Sequence, residues 1–362
     1  MIVERKQFYG VRARDKAQAI GIGKASFALN ALLSSNTSVS PTKGYSKAGN
    51  STTVDSKILR KYTYERGLGF QTDIRVRDDA SNAIIEYLNL DDTRNSSKGE
   101  WHILLGGQTK DTVYGFTAFN DTGSDKMLFC NAVDNFRSWT GAICVADGAI
   151  AAASGTITVK KVTGDPKTNA TDGFPASGTI TYRDTAGALK SLAYSSKAAS
   201  SFTMTTPANT TASADLTGVA DITIDESAIP KNNILLTAQG RVLAAGRTDQ
   251  PNQVQGSKVS DYTTWTAGTN PDDPFAKDFP EGGKCISLAS KDEWIFVGKE
   301  RRHLAFKFTI TTVSNGAGGI VQTKVSIDKL IAHEGVAHQK AVALAGDDIF
   351  FVTPRGKVRQ LF

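Results

Sequence analysis

A β-hairpin pattern lies near the middle of the chain and reads Ile234-Leu235-Leu236-Thr237-Ala238-Gln239-Gly240-Arg241-Val242-Leu243-Ala244-Ala245-Gly246. Two short apolar runs are separated by a Gln-Gly pair, which is typical of a turn between antiparallel strands. The same two-run pattern returns in Cys285-Ile286-Ser287-Leu288, Glu293-Trp294-Ile295-Phe296-Val297-Gly298 and Leu304-Ala305-Phe306-Lys307-Phe308. Because helical spacing is lacking throughout this stretch, the sequence predicts antiparallel meander sheets.

The two-run pattern also recurs at a regular spacing. Leu288 aligns with Leu344 (344 − 288 = 56), and Trp294 aligns with Phe350 (350 − 294 = 56). Repeats of roughly 40–50 residues are typical of β-propellers, in which four-stranded sheets are arranged radially as blades. A period of 56 residues fits such blades with longer loops. The sequence therefore predicts an all-β fold with β-propeller-like blades of antiparallel strands. An ordinary β-sandwich with unrelated hairpins is the alternative.

Composition divides the chain into four regions. Residues 1–66 are predicted to be an irregular N-terminal arm or linker that could complete a blade, and residues 17–33 are the one segment predicted as a helix. Residues 67–147 carry the first propeller blades, and residues 228–362 carry further blades. Between them, residues 148–227 are poor in aromatic side chains and rich in Ala, Thr and Ser. This region is predicted to be an inserted small β-sandwich of immunoglobulin-like (Ig-like) size.

The overall composition is that of a globular protein. Of the 362 residues, 40% are hydrophobic and 22% are charged, and the formal net charge is +6. A small positive excess favours either solubility or contact with a polyanion. No run approaches the roughly 18 apolar residues of a membrane-spanning helix, and the charged start lacks the apolar core of a signal peptide. We therefore expect synthesis in a cytoplasm and no membrane-spanning segment.

Metal and nucleotide motifs are incomplete. Cys130, Cys144 and Cys285 match no zinc spacing, and we expect each to be a buried, reduced thiol. His333 and His338 are one residue further apart than the helical ligand pair of zinc proteases. The sequence therefore predicts no cofactor and no metal.

Three further candidates have simpler interpretations. An acidic loop with Asp272, Asp273, Asp278 and Glu281 could hold calcium, but it lacks an EF-hand pattern and is predicted to be a solvated loop. Residues 21–26 resemble a phosphate loop without its first glycine and its strand. Ser195 lacks the Gly-x-Ser-x-Gly pattern of hydrolases. The sequence therefore predicts no catalytic residue.

Basic residues are frequent in the C-terminal part of the chain. A channel for DNA and an interface with a neighbouring subunit are the two functional interpretations, and scattered surface solubilisation is the alternative. Loose charge is what a DNA conduit needs, because tight binding would stall the DNA. The residues are Arg241, Arg247, Lys299, Arg301, Arg302, Arg355, Lys357 and Arg359.

Several of these segments resemble tail proteins of tailed bacteriophages, of the β-propeller nozzle or tail-tube type that carries an inserted Ig-like domain. The resemblance covers residues 126–362 and departs at Ala132, where Gly is expected. The segments that carry it are Met127-Leu128-Phe129-Cys130 with residues 131–141, Gly240-Arg241-Val242-Leu243 with residues 251–265, Gly335-Val336-Ala337 with residues 348–356, and Gly178-Thr179-Ile180 with residues 194–204.

The resemblance implies a structural component of a virion tail. Such a protein would form a homo-oligomeric ring as a nozzle, tube or connector, would contact other tail proteins, and would let genomic DNA pass without sequence recognition during ejection. Its location would be the virion, after assembly in the host cytoplasm, and it would not be an enzyme. The alternative from the residues is a carbohydrate-binding or carbohydrate-processing β-propeller, which would bind a receptor or hydrolyse a glycan with a pair of carboxylates.

Overall fold

The computed structural model describes residues 2–4, 31–33, 39–41, 57–66, 70–78, 81–88, 101–121, 124–148, 150, 153–161, 167–183, 189–205, 219–220, 224–226, 229–314, 320–345 and 348–361. Within these ranges the regular structure is β-sheet, and almost all of it is antiparallel meander. In chain order the strands are β1 (Ile2–Glu4), β2 (Ala31–Leu33), β3 (Val39–Pro41), β4 (Ile58–Arg66), β5 (Phe70–Asp78), β6 (Ala83–Leu88), β7 (Trp101–Gln108), β8 (Gly115–Asp121), β9 (Ser124–Cys130), β10 (Phe136–Trp139), β11 (Ile143–Ala146), β12 (Thr156–Lys161), β13 (Gly178–Arg183), β14 (Leu189–Ala198), β15 (Ser201–Met204), β16 (Val219–Ala220), β17 (Ile224–Glu226), β18 (Ile234–Ala238), β19 (Arg241–Ala245), β20 (Gln253–Gly256), β21 (Phe275–Asp278), β22 (Cys285–Lys291), β23 (Trp294–Lys299), β24 (His303–Ser314), β25 (Ile320–Ala332), β26 (Val342–Ala345), β27 (Asp348–Val352) and β28 (Val358–Leu361).

Twenty of these strands form five four-stranded sheets. Sheet one contains β4, β5, β6 and β7, and sheet two contains β8, β9, β10 and β17. Sheet three contains β18 to β21, sheet four β22 to β25, and sheet five β26, β27, β28 and β1. All neighbouring strands in these sheets are antiparallel. The predicted all-β, antiparallel fold is therefore confirmed.

The central hairpin shows why the sequence folds in this way. β18 and β19 pair from Ile234 with Ala245 down to Ala238 with Arg241. The intervening Gln239 and Gly240 have φ values of 54° and 70°, so both are left-handed. A two-residue turn with both residues left-handed matches the right-handed twist of the strands it connects, and this fixes the register.

A tryptophan packs sheet one against sheet two. Trp139 is fully buried, and its ring lies 5.9 Å from that of Tyr64 and 6.2 Å from that of Tyr87. Gly141 follows with a φ of 73°, a conformation that a side chain disfavours. Trp139 therefore packs between adjacent sheets, and Gly141 makes the turn that follows it.

Each later sheet packs against the next one along the chain. Leu128 of sheet two shares a core with Val242 of sheet three. Further cores join Leu243 of sheet three to Ile295 of sheet four, and Phe296 of sheet four to Phe351 of sheet five. The apolar core is therefore a series of layers between consecutive sheets.

The two ends of the described chain meet in sheet five. β1 pairs with β28, with Ile2 opposite Leu361, so the N-terminal residues supply the outer strand of the last sheet. Burial lowers the pKa of Lys340, and the nearby Arg60 guanidinium lowers it further. Arg60 belongs to sheet one, whereas Lys340 precedes β26. Lys340 and Arg60 therefore lie within electrostatic range of each other.

A six-stranded barrel is inserted in sheet two, between β10 and β17. Its strand order is β11-β12-β15-β14-β13-β16, and β11 also pairs with β16 through Ile143 opposite Ala220. The prediction of an Ig-like β-sandwich is wrong in this respect, because that pairing closes one sheet on itself instead of leaving two. The barrel begins at Ile143, inside the region predicted as propeller, and β17 within residues 148–227 belongs to sheet two.

Two local predictions need correction. Residues 31–33 end the predicted helix, but they form β2, because their backbone pairs with β3; residues 17–30 lie outside the described ranges. The repeat of sheets four and five is also offset from the alignment in the sequence. Their first hairpins close at Lys291 opposite Trp294 and at Ala345 opposite Asp348, so Trp294 corresponds to Asp348 rather than to Phe350. A shift of two residues keeps every side chain on the same face, which is why the apolar pattern concealed it.

Candidate functional site

A two-stranded arm extends from sheet four, and we define it as residues 308–314 of β24 with residues 320–326 of β25. The third strand, β23, pairs with β24 only from His303 to Phe306. β24 and β25 continue as a pair to Ser314 opposite Ile320. At about 3.4 Å per residue the arm is about 20 Å long. Both of its edges lack a strand partner among the described residues.

The arm is almost uncharged. Between residues 308 and 326 the only charged residue is Lys324, and Pro is absent. Thr, Val and Ile make up most of its strands, and these β-branched residues favour extended structure. The strand predicted from the sequence ends at Phe308, short of the arm, although the run of β-branched residues after Phe308 indicates that the strand continues.

A central cavity of about 510 Å³ lies where sheets three, four and five meet. Its lining includes Asn233 and Arg247 next to sheet three, Cys285 at the start of sheet four, and His338 and Gln339 before sheet five. Four of these residues lie just before the first strand of their sheet or at its start, namely Asn233, Cys285, His338 and Gln339. Arg247 lies just after the second strand of sheet three, which ends beside the start of the first strand. The cavity is therefore lined by the segments at which the first strands of these sheets begin.

Hydrogen bonds within the chain fix the cavity wall. Gln339 donates through Nε2 to the backbone oxygen of Asn233 at 2.8 Å, which ties sheet five to sheet three. Arg247 forms an ion pair with Asp249. Burial raises the pKa of the Cys285 thiol to about 11, so this thiol is protonated at neutral pH and is a poor nucleophile.

A groove of about 290 Å³ lies on sheet four beside the base of the arm. Trp294 and Phe296 form its aromatic wall, and Asp292 and Lys329 lie at its rim. The Lys307 ammonium lies 5.4 Å from the centre of the Trp294 ring, which holds that ring in place. The groove combines the half-buried Trp294 and the buried Phe296 with charged groups, and no sequence motif marks it.

The structure separates the eight basic residues into two groups. Arg241, Lys299 and Arg359 are buried and bonded within the chain. Arg241 donates to the backbone oxygens of Ser257, Asp273 and Pro271 at 2.9–3.1 Å, and Lys299 donates to that of Phe279. Arg359 forms a two-pronged ion pair with Glu334 at 2.7 and 2.9 Å.

The other five basic residues are at least partly accessible. Arg301, Arg355 and Lys357 are exposed, and Arg247 and Arg302 are half-buried. Arg302 forms an ion pair with Glu281. The five residues lie in loops next to sheets three, four and five, and only Arg247 lines the central cavity.

The candidate metal sites are also dispersed. Glu334 pairs with Arg359, while the Nδ1 atom of His338 accepts a hydrogen bond from the Lys340 amide. In the acidic loop, Asp278 accepts a bond from Gln253 and Asp273 accepts bonds from Asn270. Among the described residues, no three or more His, Cys, Asp or Glu side chains are grouped so that they could hold a metal ion.

The cysteines and Ser195 lie in ordinary structural surroundings. All three cysteines are buried free thiols, as expected. Residues 21–26 lie outside the described ranges. The Ser195 hydroxyl lies 3.4 Å from the backbone oxygen of Thr203, within the barrel. In the described part of the chain, no helix has the length and apolar character to cross a membrane.

Comparisons with known proteins give little guidance. No protein-family model matches the chain, and no curated protein matches it. The chain is similar to the crystal structure of BBS1N in complex with ARL6DN, soaked with mercury, at 9% sequence identity. That likeness covers 83% of this chain and 91% of the other, with a TM-score of 0.21. A likeness at this score carries no argument about fold or function.

Proposed function

We propose that the five sheets are the blades of a β-propeller and that the barrel is a domain inserted into its second blade. Three observations support this arrangement. Each sheet packs against the next one in chain order, and β1 supplies the outer strand of sheet five. The positive charge of Arg60 in sheet one also lowers the pKa of Lys340, which lies beside sheet five. In a propeller, a terminal strand shared with the last blade joins the two ends of the chain.

We infer that the protein is a structural component of a bacteriophage tail, in a nozzle, tube or connector ring, and that it catalyses no reaction. The observation that carries this proposal is the arm. Phe308 at its base packs on Phe275, but beyond that residue the described ribbon has no third strand, and a two-stranded ribbon alone is only marginally stable in water. We infer that a partner protein supplies the missing third strand when the protein assembles. The tail itself is inferred from the resemblance to tail proteins described above.

The DNA path in this proposal lies between copies of the chain. A duplex about 20 Å wide occupies roughly 3,000 Å³ per 10 Å of its length, whereas the central cavity measures about 510 Å³. This cavity is therefore too small to hold a DNA duplex. Accessible basic residues such as Arg301, Arg355 and Lys357 would supply loose positive charge if they faced that path.

Labelling of intact phage particles tests the tail assignment. The gene for this chain would be fused to a small epitope in its phage, and purified virions would be imaged with gold-labelled antibody. We expect label at the tail. Label on the capsid, or virions that lack the protein, would contradict the proposal.

One observation favours a second candidate function, which is carbohydrate binding. The groove beside Trp294 places an aromatic ring next to the Asp292 carboxylate, and its volume of about 290 Å³ suits a small saccharide. A glycan array with the wild type and Trp294→Ala tests it. Binding that the substitution abolishes would support this function, and absence of binding by the wild type would exclude the groove as a glycan site.

A further inference from the structure

We propose that the arm binds a second copy of this chain by strand addition. This inference rests on the proposed structural function, and it names the partner of the arm. The backbone of an unpaired strand edge presents a row of amide and carbonyl groups that another strand can pair with. Both arm edges offer such a row beyond Phe306.

The arm differs from the other outer edges of the sheets. Proteins protect exposed edges by making them short, by placing charges on them or by introducing bulges. β1, β17 and β21 have three or four residues and each contains a charged residue. β7 is longer, but its pairing with β6 shifts register twice, and the Gln108 side chain donates to the Gly106 carbonyl. In the described part of the chain, the arm alone combines length, regular pairing and near neutrality.

Charge favours a second copy as the occupant. The whole chain carries a formal charge of +6, yet residues 308–326 carry only Lys324. Two identical chains repel each other through their like net charges, and this repulsion is smallest where the contact itself is uncharged. Nucleic acid or a strongly acidic protein would instead be bound through clustered Lys and Arg, which the arm lacks.

Two variants test this inference. In the first, residues 309–325 are replaced by Asn-Gly, because Phe308 and Ser326 are opposite each other in the ladder and Asn-Gly forms a two-residue turn between paired strands. Phe308 is kept because it packs on Phe275 in the core. In the second, Thr311→Lys with Val321→Lys keeps the full arm but puts charge on both strands. Thr266→Lys with Thr269→Lys is the matched control, because it adds the same charge in an exposed loop.

Sedimentation velocity over a range of protein concentrations gives the result. We expect the wild type and the loop control to form oligomers, and both arm variants to need at least about 100-fold higher concentration to associate. Thermal unfolding checks that the variants are folded. If both arm variants form oligomers with unchanged affinity, the inference about the arm is wrong, but the proposed function in a ring still stands.

The outcome for the proposed function is separate. A wild type that stays monomeric but binds a different tail protein through the arm would overturn the second-copy inference alone. A monomeric wild type that also binds no tail component would contradict both the inference and the proposed function.

Discussion

At the level of single residues, the fold depends on cations whose surroundings the sequence does not reveal. Lys299 is fully buried, and burial lowers its pKa. Backbone oxygens compensate the buried donors of Lys299 and Arg241, and buried charge is tolerated only with such partners. Those oxygens belong to segments 16 to 32 residues away in the sequence. The sequence therefore suggested that Arg241 and Lys299 were accessible, whereas in the structure both are buried and hydrogen-bonded within the chain.

His303 makes stability depend on pH. Its Nδ1 atom lies 2.8 Å from the Glu334 backbone oxygen, and its Nε2 atom is buried without a hydrogen-bond partner. Burial lowers the pKa of His303 from 6.5 to about 4. The unfolded chain therefore binds a proton between these pH values that the folded chain does not, and stability falls as the pH decreases through this window.

We predict that His303→Asn removes much of this acid sensitivity. The histidine accounts for a loss of about 3 kcal/mol in the free energy of unfolding between pH 7 and pH 4, and asparagine can keep the bond to Glu334. Urea unfolding at several pH values measures the effect, with the exposed His333→Asn as control. An unchanged pH profile in the His303 variant would show that this side chain is not the source.

Ala132 occupies a position that suits glycine. Its φ is 65°, a left-handed conformation that costs a side-chain-bearing residue about 1–2 kcal/mol. We predict that Ala132→Gly raises the free energy of unfolding by about 0.5–1 kcal/mol, since the relief exceeds the entropy cost of glycine. Ala118→Gly, the same change within β8, should instead destabilise. Equal effects of the two substitutions in chemical denaturation would contradict the backbone argument.

At the level of strands, local pattern predicted more than long-range pairing. The hairpin at Gln239 and Gly240 follows from its turn residues, and most predicted strands are present. The closure of the barrel depends on β11 meeting β16, more than 70 residues later in the sequence, and local alternation carries no trace of that contact. The arm could not be recognised for a different reason. Its run of Thr and Val indicates a strand, but the same run would be expected in a strand with a partner on each side, so the unpaired edges leave no mark in the sequence.

Strand β1 should contribute measurably to stability. It pairs with β28 over three residues, and its loss leaves the backbone edge beside Leu361 unpaired. We predict that deletion of residues 1–6 lowers the free energy of unfolding by about 3 kcal/mol, from hydrogen bonds worth about 1 kcal/mol each. Removal of Met1 alone is the control. If both truncations unfold at the same urea concentration as the full chain, β1 does not hold sheet five together.

At the level of the whole molecule, the architecture follows from how the sheets are arranged in sequence. Five meanders with a core between each consecutive pair, and a last sheet completed by the first strand, define a chain whose ends meet. The sequence indicated repeated hairpins and an N-terminal region that could complete a blade, and β1 does pair with the last sheet. Residues 2–4 alone carry too little pattern to identify them as the strand that does so. The proposed ring depends on surfaces such as the arm, which a single sequence does not rank.

The most direct measurement is cryo-electron microscopy of the purified protein, alone and with the connector proteins of the proposed phage tail. We predict a closed ring whose subunits are five-bladed propellers joined through the arm. Its axial channel should be at least about 20 Å wide, as passage of duplex DNA requires. A monomer that binds none of these proteins, or a ring whose channel is too narrow for a duplex, would contradict the conduit function.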